Sequence, residues 1–113
     1  MKRLWNATKN AVAVEELEVA DGPLARMKGL LGRAALPEGR GLLITKCNSI
    51  HMFFMRFAID AVFLDRDMHV VKIAANLAPW RVASCSAARH TLEIPSGAAA
   101  KAGIAPGDEL KHV

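Results

Sequence analysis

The run FAIDAVFL, residues 57–64, constrains the fold of this chain more than any other segment. It is short, almost wholly apolar and rich in residues that favour strands, so it predicts a strand with apolar side chains on both of its faces. LDRDMH and a second apolar segment, HVVKIAA, follow directly. The two apolar segments predict a β-hairpin that turns at about Asp65 to Met68, with Met68 in the place where glycine is usual. One carboxylate, Asp60, interrupts the apolar run and needs a partner if it is buried.

Three further segments are typical of strands. AVAVEELEVAD, residues 11–21, predicts one or two short strands, and GLLITKC, residues 41–47, predicts another. RHTLEIP predicts a strand whose Leu92 and Ile94 face one way and whose Glu93 faces the other. PGDEL near the end predicts a turn into a last strand.

Two helices are predicted between these strands. The first spans about 22–31, with Asp21 as its N-cap and Gly32 at its end. Its apolar stripe comprises Leu24, Met27, Leu30 and Leu31. The second is a short alanine-rich helix over about 97–102, capped by Ser96. Together these elements indicate an α+β fold built on a compact, mostly antiparallel, barrel-like β-sheet.

Length and composition favour one ordinary globular domain over residues 1–113, because 52% of the residues are apolar and 23% are charged. The sequence has no run of about 18 apolar residues, so we expect no membrane span. Its first residues, MKRLWNATKN, do not resemble a signal peptide. Cys47 and Cys85 lie far apart without a CxxC motif, which favours a reduced, cytoplasmic setting.

The order of the motifs resembles the family known as domain of unknown function 192. The resemblance covers about Leu17 to Leu110 and rests on LEVAD, RMKGLLGR, GRGLLI, FFMRFAIDAVFLD with HVVKI, LEIPSG and AGIAPGDEL. It implies a compact, β-rich fold and supplies no accepted activity. Its characteristic positions fall on Phe54, Met55, Arg56, Asp60, Glu93, Gly29, Gly41, Gly97, Gly107 and Asp108. The chain departs from the family pattern at Leu31, Leu42, Ala58 and Met68.

The segment CNSIHMFFMR contains residue types that suit a soft metal such as copper, in Cys47, His51, Met52 and Met55. Strand alternation places His51 and Met55 on one face and Met52 on the other. Methionine beside phenylalanine is more often a core residue than a ligand. We therefore expect no metal and no cofactor.

The charged residues indicate a different kind of site. If the strand is unbroken, Arg56 and Asp60 share a face, and Glu93 poses the same burial problem on its own strand. A cluster of Arg56, Asp60 and Glu93, with His51 and Met55 beside it, predicts a binding site for a small polar ligand or a protein segment. The alternative is that Asp60 accepts backbone or hydroxyl hydrogen bonds and only fixes a turn or bulge.

The residue types present also fit two other function classes. A small hydrolase-like enzyme could use Asp60 or Glu93 as its acid or base, but no nucleophile motif such as GxSxG is present, so the balance favours a binding protein.

A basic protein could stack single-stranded bases on its aromatic side chains. We do not expect nucleic acid, because only 5% of residues are aromatic and the pattern turns them inward. The aromatic residues in question are Phe53, Phe54, Phe57 and Trp80.

Overall fold

The computed structural model describes residues 2–113 and contains nine strands and two short helices within that range. Their order is β1 (Lys2–Asn6), β2 (Ala11–Ala20), α1 (Pro23–Lys28), β3 (Arg40–Ile44), β4 (Ser49–His51), β5 (Ile59–Leu64), β6 (Val70–Leu77), β7 (Val82–Ser84), β8 (His90–Pro95), α2 (Ala98–Lys101) and β9 (Leu110–His112). Neither described helix is long enough to cross a membrane.

Seven strands form one curved sheet in the order β6, β5, β8, β3, β2, β1, β9, and β4 pairs with β7 in a separate two-stranded sheet. A bridge between His69 and Glu109 and a hydrogen bond of 2.8 Å from the Val70 amide to the Asp108 carbonyl join β6 to the β9 end. These contacts bring the two edges of the large sheet together, so the sheet is curved and barrel-like. The predicted α+β, mostly antiparallel fold is confirmed, with one parallel pair, β2 with β3.

Strand β5 lies inside the sheet, between β6 and β8, and all six of its side chains are buried. Because side chains alternate along a strand, β5 contributes to two apolar clusters on opposite faces. Val62 and Leu64 pack in the α2-side cluster, which includes Leu43, Leu92, Ile94 and Ala99. Ala61 and Phe63 pack in the β4-side cluster, which includes Leu30, Leu42, Ile44, Ile50 and Met52. Both faces of this strand are therefore buried, and apolar side chains lie on each face as predicted.

The predicted hairpin between β5 and β6 is also confirmed. Its turn is closed by a hydrogen bond of 2.9 Å from the Asp65 amide to the His69 carbonyl. The Asp65 carboxylate accepts the amides of Asp67 and His69, both at 2.9 Å. Met68 has φ of 64°, the left-handed conformation that glycine adopts most easily. The Asp65 side chain thus stabilises a turn in which methionine occupies the glycine position.

Helix α1 is shorter than predicted and does not present an apolar stripe to the core. Gly22, rather than Asp21, is the N-cap, and the helix ends at Gly29, whose φ of 48° is left-handed, rather than at Gly32. Leu24 and Met27 are 83% and 80% exposed. The helical spacing was therefore a misleading signal. Leu30 is buried, but it follows the helix and packs in the β4-side cluster.

Helix α2 is also shorter than the predicted range of about 97–102. Gly97, with φ of 87°, is its N-cap. Ser96 does not cap it, because the Ser96 hydroxyl lies 2.7 Å from the side-chain oxygen of Asn76 and donates to it. The amides at the beginning of α2 are satisfied by another residue.

Candidate functional site

Asp60 is the residue that satisfies the first amides of α2, and its side chain is almost fully buried, at 1% exposed. Its Oδ2 accepts the amides of Gly97 at 3.1 Å and Ala99 at 3.0 Å, and its Oδ1 accepts the amide of Asn76 at 2.8 Å. The register of β5 with β6 shifts beside Asp60, between Ile59 and Ala61. Asp60 therefore connects an irregular part of the β5–β6 pair to the first turn of α2. This is the alternative arrangement considered for Asp60, in which backbone donors surround the carboxylate.

The predicted cluster of Arg56, Asp60 and Glu93 does not form. Asp60 lies opposite Ile94, whereas Glu93 lies opposite Ala61, so the two carboxyl groups project from opposite faces of the sheet. Within residues 2–113, no ion pair joins Arg56 to Asp60. The reason is local. The chain turns between β4 and β5, so strand alternation cannot be extended from residue 51 to residue 60.

Glu93 lies instead at a cleft of about 250 Å³, formed by α1, β4 and the β8 segment beneath them. The apolar part of the lining comprises Met27, Leu30, Leu31, Ile44, Ile50 and Phe53. Glu93 is 5% exposed, and among the described residues its carboxylate receives no side-chain or backbone hydrogen bond. A nearly buried carboxylate without a donor is costly. It is the strongest sign of a site in the described part of the chain.

Burial raises the pKa of Glu93 to about 7, and the nearby positive charge of Arg33 offsets this only in part. The guanidinium of Arg33 is engaged with Glu18, whose two carboxylate oxygens accept its Nη1 and Nη2 at 3.1 and 2.7 Å. Gly29 covers Glu93 from the end of α1. A Cβ at Gly29 would lie 3.7 Å from Glu93 Oε1. This is ordinary van der Waals contact, so Gly29 lies directly against the carboxylate.

The polar groups around the cleft are mostly engaged elsewhere. Arg26 Nη1 donates to the Asp21 carbonyl at 2.9 Å, and the Cys47 thiol donates to the Ser49 carbonyl at 3.0 Å. His51 Nδ1 accepts the Phe53 amide at 3.3 Å. Glu93 is thus a lining group whose carboxylate has no protein donor among residues 2–113 and is open to water or to a ligand in the cleft.

The other predicted site residues are dispersed. His51 is exposed and lines the cleft that contains Glu93. Met55 is half-buried and packs against the β4-side cluster, while Met52 is 1% exposed. Arg56 is exposed and lies outside the residues that line the cleft. In residues 2–113, no three His, Cys, Asp or Glu side chains come together as metal ligands.

The expectation that the aromatic residues face inward is wrong for three of the four. Phe53, Phe54 and Trp80 are exposed, and Phe57 is half-buried. Alternation failed here because Phe54 and Trp80 adopt left-handed backbone conformations, with φ of 65° and 72°. The cleft was missed for a related reason, since its walls come from segments distant in sequence. The only local sign of it was the glutamate between Leu92 and Ile94.

Comparison with known proteins gives a consistent family. A UPF0127 protein of Pyrococcus horikoshii is 37% identical over 94% of this chain and 95% of its own length. A UPF0127 protein of Pyrococcus furiosus is 33% identical over 96% of both chains. The fold is similar to that of a protein of unknown function from Novosphingobium aromaticivorans, with a TM-score of 0.82 and 26% identity over 97% of this chain and 82% of the other. It also resembles a Sinorhizobium meliloti structure, with a TM-score of 0.81 and 22% identity over 98% and 91%. The DUF192 family profile, described as "Uncharacterized ACR", matches residues 4–112, and the chain belongs to this family.

Proposed function

We propose that the Glu93 cleft binds a small ligand that is largely apolar and carries an amino group. The observation that supports this is the Glu93 carboxylate, 5% exposed and without a hydrogen-bond donor among residues 2–113. A ligand N–H group would supply the missing donor, and a protonated amine would also supply the missing charge.

The surroundings of Glu93 support the same class of ligand. Arg26 and Arg33 are held by Asp21 and Glu18, so neither competes for the Glu93 carboxylate. The apolar lining favours a hydrocarbon or aromatic body. At about 250 Å³ the cleft is slightly smaller than the roughly 300 to 1,000 Å³ of sites for drug-sized molecules, which favours a ligand smaller than these. A small molecule reaches so buried a carboxyl more readily than a protein segment does.

A second candidate is an enzyme in which Glu93 acts as acid or base. The supporting observation is a pKa of about 7, which suits proton transfer near neutral pH. Asp60 is unsuited to this role, because three backbone amides occupy its oxygens. Ser49 and Cys47 also line the cleft, but the Cys47 thiol is engaged with a carbonyl. Binding requires only the unpaired carboxyl and is therefore the function we propose first.

The test uses benzylamine as a probe, with phenylacetate as a ligand of similar shape and opposite charge. At pH 8, where Glu93 is ionised, we expect saturable NMR shifts of the Gly29, Leu30 and Ile50 amides with benzylamine at low millimolar concentration. We expect weaker shifts with phenylacetate. Glu93→Gln should weaken benzylamine binding at least about tenfold, since it removes a charge-assisted hydrogen bond. The matched control, Glu15→Gln, changes an exposed carboxylate paired with Arg3 and should bind as the wild type does.

Two results would count against the proposal. One is the absence of saturable shifts at the cleft in the wild-type protein. The other is equal affinity of the wild-type and Glu93→Gln proteins for benzylamine, because the contact would then not involve the carboxylate. A substrate turned over by the wild-type protein and not by Glu93→Gln would favour the enzyme instead.

A further inference from the structure

Four aromatic rings form a continuous exposed row beside the small β4–β7 sheet. The His51 and Phe53 rings are stacked, with centroids 4.8 Å apart. Trp80 lies next to both phenylalanines, with its centroid 5.9 Å from Phe53 and 4.9 Å from Phe54. Phe54 and Trp80 are 71% and 58% exposed. We call these four residues the aromatic row.

The backbone holds the aromatic row outward at a cost. Phe54 and Trp80 both have left-handed φ values, which are unfavourable for bulky side chains. The loops that contain them are joined by hydrogen bonds of 2.8 Å from the Trp80 amide to the Met52 carbonyl and 2.7 Å from the Met52 amide to the Arg81 carbonyl. Met52 is buried and fixes this junction to the core. Exposed rings that are held by a strained backbone and tied to the buried Met52 are typical of a preorganised binding surface.

The net positive charge of the protein comes from the segments that contain the row, because acidic residues are absent from them. Residues 41–59 and 68–92 hold five of the 15 Lys and Arg residues and none of the 11 Asp and Glu residues. The remaining residues hold ten basic and eleven acidic side chains, a net charge of −1. The net charge of +4 therefore comes entirely from these two segments. Such segregation favours a polyanionic partner.

Four of these five basic residues are close in the chain to the row or to the β4–β7 sheet, or contact that sheet. Arg81 follows Trp80 and is exposed, and Arg56 is exposed two residues after Phe54. Lys72 Nζ donates to the Ser84 carbonyl on β7 at 2.9 Å, so this cation lies at the far end of the sheet. Lys46 is exposed just before β4. The fifth, Arg89, shares a groove with Asp65 and Asp67, whose negative charges disfavour a phosphate there.

We propose that the aromatic row and these four cations form a binding surface for single-stranded nucleic acid. Unpaired bases would stack on Phe54 and Trp80, and the phosphates would follow the cations along β4 and β7. An anionic membrane would match the charge as well. However, the polar side chains of Asn48, Ser49 and Ser84 are exposed along the same sheet and would lose water in a lipid layer, whereas bases and phosphates can hydrogen-bond to them. His51 and Phe53 of the row also line the Glu93 cleft, but this inference rests on Phe54, Trp80 and the four cations and does not require a contact with the Glu93 carboxylate.

The experiment is fluorescence anisotropy with a labelled oligothymidylate of about 12 nucleotides, a length suited to small single-strand binding domains. With four phosphate contacts, the logarithm of affinity should fall with the logarithm of salt concentration with a slope of about −3. Trp80→Ala should weaken binding roughly 5- to 100-fold, and Arg81→Gln should weaken it and make the slope shallower by about 0.7. In a Trp5→Phe background, Trp80 is the only tryptophan, so quenching of its fluorescence reports stacking directly.

Matched controls separate this surface from general charge and from the cleft. Lys111→Gln removes an exposed charge on β9 and should change affinity less than twofold. Glu93→Gln should also leave oligonucleotide binding unchanged, so failure of either proposal is visible without the other. Urea unfolding of Trp80→Ala verifies that the variant is folded. Equal affinity of Trp80→Ala and wild type, or absence of Trp80 quenching, would overturn the inference. So would binding to vesicles of equal parts phosphatidylglycerol and phosphatidylcholine without binding to the oligonucleotide.

Discussion

Replacing Asp60 with asparagine should strongly destabilise the protein, although the change only replaces one carboxylate oxygen with an NH2 group. The Asp60 carboxylate accepts three backbone amides, two on Oδ2 and one on Oδ1. Asparagine retains one oxygen. Its best orientation keeps the bonds to Gly97 and Ala99 and directs the side-chain NH2 at the Asn76 amide, so that two donors face each other.

The expected cost follows from these contacts. An unsatisfied buried donor costs about 1–3 kcal/mol, and the Asn76 amide should lie at the lower end because Asn76 itself is exposed. The two remaining bonds lose their charged acceptor, which costs about 1 kcal/mol each. We therefore expect Asp60→Asn to lower the free energy of unfolding by about 3 kcal/mol and the Tm by about 12 °C. Asp60→Leu leaves all three amides unpaired and should cost at least about 5 kcal/mol.

The assay is urea unfolding followed by tryptophan fluorescence, together with amide hydrogen exchange of Gly97 and Ala99. In Asp60→Leu, exchange of both amides should accelerate by more than the loss of global stability accounts for. In Asp60→Asn this extra acceleration should be smaller. Asp67→Asn, in the exposed β5–β6 turn, is the matched control and should stay within about 0.5 kcal/mol of wild type. If Asp60→Asn also stays within about 0.5 kcal/mol, the three hydrogen bonds do not fix this part of the fold and the argument is refuted.

Three further predictions concern stability. Because the pKa of Glu93 is raised, the folded state keeps a proton that the unfolded state releases above pH 4.5. The free energy of unfolding of the wild-type protein should therefore fall by on the order of 3 kcal/mol between pH 4.5 and about 7. In Glu93→Gln the urea midpoints should not fall across this range, and a small rise is expected because burial lowers the pKa of His90; an equal fall in both proteins would show that another group is responsible. Asn6 is fully buried, donates to Asp108 Oδ2 at 2.9 Å and accepts the Thr8 and Lys9 amides at 3.1 Å. Asn6→Ala removes these hydrogen bonds and should lower the free energy of unfolding, measured by heat or urea, by about 3 kcal/mol. The same change should raise the pKa of Asp108, which Lys9 and Asn6 hold below its usual value, and NMR titration measures this directly. Finally, Leu24→Gln should be neutral within about 0.5 kcal/mol, whereas Leu30→Ala should cost about 2–5 kcal/mol, because only Leu30 is in the core. A large loss with Leu24→Gln would contradict the exposed position of α1.

The local pattern was sufficient for the central hairpin and for the fold class. In FAIDAVFL the apolar run itself requires burial on both faces, and the adjacent turn residues determine where the chain reverses. The alternation of Leu92, Glu93 and Ile94 likewise predicted that Glu93 faces away from its neighbours. These features depend on residues that are close in sequence, so their physical causes are visible in the sequence alone.

The partners of the charged residues were decided by tertiary structure. Asp60 accepts amides 16, 37 and 39 residues away, and no local pattern specifies which distant backbone donors will reach a buried carboxylate. Arg56 lay on the same face as Asp60 only under the assumption of a continuous strand, which the turn between β4 and β5 breaks. The sequence by itself determined that two carboxylates would enter apolar strands. Only the tertiary structure decided that backbone amides satisfy Asp60 and that Glu93 opens without a partner into a cleft, because chain segments distant in sequence supply both environments.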